Sequence, residues 1–207
     1  MRIVFFGNSN SGKTTLAERV SVELELPMHY TNLSEVFQTN NKHIGIEKLR
    51  RQDEIKEKLF KTYKNNTDGC FDRHFIDAYC YSQSIIHKCL SNLEWEYYNT
   101  TQYKKDLNYA EKHLKWLEWV CYNSINTNDL FFYVEPLENI IEVEGQAQKV
   151  RMGEKDLHLL ETYAIMYNKL FETQKNFFKV ASGGLEERVD FVIQKYMLHN
   201  ILVRNLI

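Results

Sequence analysis

The segment Gly7-Asn8-Ser9-Asn10-Ser11-Gly12-Lys13-Thr14 sets two glycines, a lysine and a hydroxyl in the pattern G-x-x-x-x-G-K-[ST]. Each fixed position answers a need of a bound triphosphate. Glycines let the backbone turn tightly, so that successive N–H groups converge on phosphate oxygens. A helix opening near Lys13 adds the positive end of its dipole. The Lys13 ammonium is long enough to reach the β- and γ-phosphates, and the Thr14 hydroxyl can ligate the Mg²⁺ that travels with them. Gly7 through Thr15 are therefore the expected contacts of ATP. The competing reading is a polar surface turn, which requires none of the fixed positions.

A second cluster follows at Cys70-Phe71-Asp72-Arg73-His74-Phe75-Ile76-Asp77. A carboxylate at the carboxyl end of a parallel strand lies on the edge where open α/β sheets bind ligands. There Asp72 could enter the Mg²⁺ shell or take the proton of an attacking hydroxyl, and both roles stay open. Arg73 offers a planar fork suited to a phosphate, and Asp77 could reach the same substrate. The bland alternative is an ordinary strand end, with Asp77 in the first turn of a helix. Only Cys70 and Phe71 precede Asp72 as apolar residues, which is short for a Walker B strand. A third cluster, QKVRMGEKD at 148–156, mixes charge with a glycine between strand and helix. It reads as a lid over about 145–156 whose Arg151 closes on the transferring phosphate, with Lys149 and Lys155 assisting, or else as a solvated loop.

The elements that must position these residues are legible from periodicity. Ile3 to Phe6 is a short apolar run ending at Gly7 and reads as a buried strand. Leu16, Ala17, Val20 and Leu24 form a helical stripe closed by Pro27, and a short strand is expected after it at 28–31. The charged stretch 47–64 reads as a solvated helix with Leu49, Ile55, Leu59 and Phe60 as its anchors. A strand at Cys70-Phe71 and a helix over 75–90 follow. Leu107, Ala110, Leu114, Leu117 and Cys121 mark a clear amphipathic helix within an aromatic insertion at about 92–124. Leu130 to Val134 is a strand stopped by Pro136. Leu157, Leu160, Ala164, Tyr167 and Phe171 mark another helix, and 177–181 a last strand. Ser182-Gly183-Gly184 is a turn into a final helix carrying Leu185, Val189, Val192, Ile193 and Tyr196. Alternating strands and helices predict an α/β three-layer sandwich, a parallel sheet with helices on both faces, in a single domain over 1–207.

Composition narrows the function classes. Hydrophobic residues make up 43% of 207 and charged residues 26%, with a formal charge of -2. That balance announces no pull toward nucleic acid or anionic membrane. Cys70, Cys80, Cys89 and Cys121 form no CxxC pair and no zinc spacing, so reduced thiols in a cytoplasmic protein are expected. No signal peptide or membrane span is expected, because the N-terminal apolar run is too short and no stretch approaches about 18 apolar residues. Tyr30, Glu35 and Phe37 could touch an acceptor, and Tyr79 and Tyr81 could line a base pocket, though packing serves all five equally well. Trp95, Trp116 and Trp119 read as core or insertion contacts.

The phosphate loop, FDRHFIDAYCYS, the strand DLFFYVEP, the stretch VRMGEKD and the ending VASGGLEERVDFVIQKY occur in an order that resembles the P-loop kinases of the nucleoside and nucleotide kinase group. The likeness is closest to the branch with nicotinamide riboside kinase domains and small phage (deoxy)nucleotide kinases. The resemblance implies that Lys13 and Thr14 handle ATP and Mg²⁺, that Asp72 acts on acceptor or metal, that Arg73 binds substrate and that Arg151 is the lid arginine. It also implies that Gly183 and Gly184 lie near the adenine. The aromatic insertion matches no specificity element of the group, so the acceptor is open.

Three function classes remain. The leading expectation is a kinase moving the γ-phosphoryl group of ATP to a small acceptor. A deoxynucleoside monophosphate leads, because an Asp-Arg pair beside a phosphate loop suits an acceptor that already carries a phosphate. A nucleoside, including nicotinamide riboside, comes next, and a hydroxymethylated base in DNA third. The other classes are a nucleotide-hydrolysing switch, which would need a water-positioning residue, and a nucleotide sensor without turnover.

Overall fold

Ile3, Val4, Phe5 and Phe6 are all fully buried, which requires cover on both faces of the strand they form. That strand is β1 (Arg2–Phe6), the centre of a five-stranded sheet. The computed structural model describes residues 1–8, 11–31, 46–91, 100–136 and 157–204. Along the chain follow α1 (Lys13–Glu23), β2 (Met28–Tyr30), α2 (Ile46–Asn65), β3 (Gly69–Asp72), α3 (Phe75–Ser91), α4 (Thr101–Asn123), β4 (Leu130–Val134), α5 (Leu157–Thr173), β5 (Phe177–Val180) and α6 (Leu185–Arg204). The strands lie in the order β2-β3-β1-β4-β5, every pairing parallel. All five carboxyl ends therefore share one edge, where the loop after β1 and the loop after β3 meet.

Alternation along the strands sorts the core into two layers. Ile3 and Phe5, with Leu130, Phe132 and Val134, pack against Leu16, Ala17 and Val20 of α1 and Val189 and Val192 of α6. Val4 and Phe6, with Phe71, Phe131 and Tyr133, pack against residues of α2, α3, α4 and α5. Aromatic rings step across the sheet, Phe5 on Phe132 at 5.7 Å and Phe131 on Phe177 at 4.5 Å.

The expected α/β architecture is present, with three local differences. In helix α2 Leu49, Ile55 and Leu59 are the buried anchors expected, but Tyr63 is the fourth, and Phe60 stays half exposed. Helix α1 ends at Glu23, before Pro27; Ser21 accepts Leu26 N–H through its carbonyl and donates its hydroxyl to Leu26 O, closing the turn. Trp119, read as a core or insertion contact, is 62% exposed and so lies outside the core, while Trp116 packs on Phe60 and under the Lys56 ammonium. Trp95, Glu35 and Phe37 lie outside the described residues. Among the described residues no helix is long and apolar enough to cross a membrane.

Candidate active site at the sheet edge

The loop after β1 takes backbone conformations that glycine tolerates best. Gly7 sits at φ 144, and a Cβ there would lie 2.5 Å from the Val134 carbonyl oxygen at the end of β4. Gly12 sits at φ 72 in the left-handed region and opens α1, which begins at Lys13. The first helical N–H groups thus face the loop.

Lys13 is buried and its ammonium donates to the Asn8 carbonyl oxygen at 2.8 Å. Burial, then the neighbouring Arg73, pull its pKa from 10.5 down to about 7, while Asp72 and Asp77 act the other way. Anionic phosphate oxygens beside this ammonium would favour its charged form. The Thr14 hydroxyl donates to Asp72 Oδ2 at 2.8 Å, joining the start of α1 to the end of β3. Asp72 is buried, and its Oδ1 has no hydrogen-bond partner among the described residues. Magnesium binds through one or two carboxylates plus phosphate oxygens and water, so an unpartnered carboxylate oxygen next to a hydroxyl and a phosphate loop fits it. Among the described residues no cluster of three or more His, Cys, Asp or Glu could hold a metal by itself.

Arg73 has φ 118, a conformation that costs a non-glycine residue about 1–3 kcal/mol. Two bonds hold it there, from Arg73 N–H to the Phe5 carbonyl at 3.0 Å and from the Tyr63 hydroxyl to the Arg73 carbonyl at 2.9 Å. Its guanidinium lies 3.5 Å from Asp77 and is largely buried. Burial opposes its charge, but Tyr81, Asp77 and Asp72 outweigh burial and raise its pKa. Asp77 itself is 1% exposed, and protein donors engage both its oxygens. Oδ1 accepts the Gly7 N–H at 3.1 Å and the Tyr163 hydroxyl at 2.8 Å, and Oδ2 accepts the His74 N–H at 2.8 Å. The last bond, with the Ile76 N–H at 3.3 Å from His74 Nδ1, forms a reciprocal cap on α3.

The sheet edge thus gathers Gly7, Asn8, Ser11, Gly12, Lys13, Thr14, Asp72, Arg73 and Asp77. Thr15 is exposed on the first turn of α1. Gly183 and Gly184 form the turn from β5 into α6, with the Gly184 N–H on Glu187 Oε2 at 3.3 Å. Tyr30 is half exposed and donates to Glu18 at 2.8 Å. Tyr79 and Tyr81 pack against the larger core layer. Ser9, Asn10 and Arg151, with the whole stretch 145–156, lie outside the described residues. Two site residues escaped the sequence reading. Tyr163 ties α5 to Asp77, and Arg188 reaches the Ser11 carbonyl at 2.7 Å. Their partners lie 86 and 177 residues away, and the only local signal was an arginine just past the double-glycine turn.

No protein-family model and no curated protein matches the chain. Solved structures do. Deoxyadenosine kinase from M. mycoides, with products dCMP and a flexible dCDP bound, superposes with a TM-score of 0.69 at 16% identity, over 95% of this chain and 98% of that one. The same kinase with bound dCTP gives 0.67 at 17% identity, over 95% and 98%. NadR protein in complex with NAD and AMP-PNP gives 0.61 at 14% identity, over 94% of this chain and 49% of that chain. With a central β1 and parallel strands ending beside a loop of two positive-φ glycines, the chain has the fold of the P-loop nucleoside and nucleotide kinases.

Proposed function

We propose that this chain is an ATP- and Mg²⁺-dependent kinase that transfers the γ-phosphoryl group to a small deoxynucleotide or deoxynucleoside. The observation that carries the reading is the Thr14–Asp72 contact of 2.8 Å, with the other Asp72 oxygen buried near Lys13 and unpartnered among the described residues. Thr14 and Asp72 would hold the metal, which when bound neutralises charge on the β- and γ-phosphate oxygens. The remaining work falls to the chain. Lys13 and the loop N–H groups stabilise negative charge where it develops, in a site that excludes water from the ammonium. Asp72 is also within reach of the role of proton acceptor for the attacking hydroxyl. Arg151, in the stretch read as a lid, would close over the transferring phosphate. Gly183 and Gly184 would border the base. A cytoplasmic location accords with Cys70, Cys80 and Cys121 being free and buried.

A deoxynucleoside monophosphate is the acceptor for which Arg73 is read. One observation favours a second acceptor, the unphosphorylated deoxynucleoside. Arg73 already faces the Asp77 carboxylate at 3.5 Å and is largely buried, an environment suited to a hydroxyl more than to a second anion. The likeness to deoxyadenosine kinase points the same way.

The test is Asp72→Asn, with ADP release followed against Mg²⁺ concentration for dAMP and deoxyadenosine in parallel. We expect at least about 100-fold slower transfer and a higher half-saturating Mg²⁺. An unchanged rate and Mg²⁺ dependence would remove Asp72 from the site.

A further inference from the structure

A phosphate loop presents its N–H groups to the ligand. In a trans peptide the carbonyl of one residue and the N–H of the next point in opposite directions. A partner that holds a loop carbonyl from outside therefore aims the following N–H inward. The Gly12 carbonyl has such a partner within its own helix, the Leu16 N–H at 2.9 Å. The Ser11 carbonyl has a distant one, Arg188 Nη2 at 2.7 Å, from a residue 177 positions later in the chain.

Arg188 is 5% exposed, and its Nε has no hydrogen-bond partner among the described residues. A carbonyl oxygen satisfies a donor without cancelling the charge. The bond therefore leaves a cationic guanidinium one peptide behind the loop, on the side away from the phosphates. It is also charge-assisted, which makes it short and directional. Val189 and Val192, on the same helix, pack with Leu16 and Val20 of α1 and hold the guanidinium in register with the loop.

We propose that Arg188 is a positioning residue of the phosphate loop: it holds the Ser11 carbonyl on the outside, aims the Gly12 N–H at the bound phosphates and supplies positive charge behind them. The inference rests on reading the loop as a triphosphate site.

The experiment measures binding of inorganic triphosphate, ATP and adenosine, each with Mg²⁺, to the wild-type chain, Arg188→Met, Arg188→Lys and the control Glu186→Gln. Glu186 is exposed on the same helical turn and meets Arg19 at 3.4 Å. Arg188→Met is expected to weaken inorganic triphosphate and ATP alike, by about tenfold to a hundredfold, with adenosine and the Glu186→Gln control unchanged. Lysine, which keeps the charge and a hydrogen-bond donor but lacks the planar fork, is expected to recover part of the loss. Where the methionine variant does not fold, Arg188→Lys is the variant read, and a loss confined to the phosphate ligands supports the proposal. Equal loss of adenosine and triphosphate, or no loss, overturns it. A wild-type chain that binds neither ATP nor triphosphate contradicts the reading of the loop itself, a result separable from a normal wild type with an indifferent Arg188.

Discussion

Lys13 is an ammonium in a buried place, with a pKa of about 7 where a free lysine has 10.5. Its charge is a cost to the folded chain, and the phosphate oxygens of a bound triphosphate would offset that cost. Lys13→Met should therefore leave stability equal or higher while slowing phosphoryl transfer at least about 100-fold. Urea unfolding and ADP release, run on the same preparations, check both halves; a variant with normal transfer would remove Lys13 from the mechanism. Asp77 carries the opposite kind of role. Its carboxylate accepts from Gly7, His74 and Tyr163 and faces Arg73, so it ties the phosphate loop, the end of β3 and α5 to one another. An asparagine would point an N–H₂ group at one of those donors and remove the buried carboxylate that faces Arg73, with Asp72 still acting on the guanidinium. Asp77→Asn should cost about 3 kcal/mol of stability, by urea unfolding with no nucleotide present, and a cost near zero would argue for a direct substrate role instead. Lys13 was singled out in the sequence because a phosphate-binding pattern fixes residue types at fixed spacing. The sequence left Asp77 between two roles, because its partners come from distant segments and no local spacing encodes them.

At the scale of elements, α2, α3 and α4 meet around His113. Its Nδ1 accepts from the Lys56 ammonium at 3.2 Å and its Nε2 pairs with the Ser82 hydroxyl at 3.0 Å, with Asp53 near by. Burial, then the charge of Lys56, hold its pKa down to about 4. The unfolded chain protonates a histidine near the ordinary 6.5, so below that pH the unfolded state binds the extra proton first. The contribution of neutral His113 is thus complete above pH 6.5 and is lost as pH falls through 4. Its slope is at most about 1.4 kcal/mol per pH unit. His113→Gln should flatten the fall of unfolding free energy between pH 6.5 and 4, in urea titrations at several pH values. A slope equal to wild type would place the acid sensitivity elsewhere, with His74, held near 3, the next candidate. Helices α4 and α5 form where apolar spacing placed them, but α5 buries Leu159, Tyr163, Met166 and Leu170, while Leu157, Ala164 and Phe171 of the expected stripe are exposed. Helix α2 is the charged, largely exposed helix its composition implies, anchored by Leu49, Ile55 and Leu59; Tyr63 rather than Phe60 completes the buried face.

For the whole molecule, parallel strands with a central β1 bring residues from positions 7 to 188 to one sheet edge. The alternation of strand and helix predicted that layout, since buried parallel strands read as continuous apolar runs and helices as stripes. The strand order and the Arg188 contact were not legible, because no local pattern says which strand lies beside β1. Acceptor-dependent phosphoryl transfer from ATP is the activity proposed for this sheet edge. The measurement that tests it most directly offers the purified chain ATP and Mg²⁺ with deoxynucleoside monophosphates, nucleosides including nicotinamide riboside, and oligonucleotides carrying hydroxymethylated bases. ADP release is followed against a no-acceptor control. The account predicts release that depends on a deoxynucleotide or deoxynucleoside and vanishes without one; release at the same rate with and without every acceptor would contradict it and identify a nucleotide hydrolase.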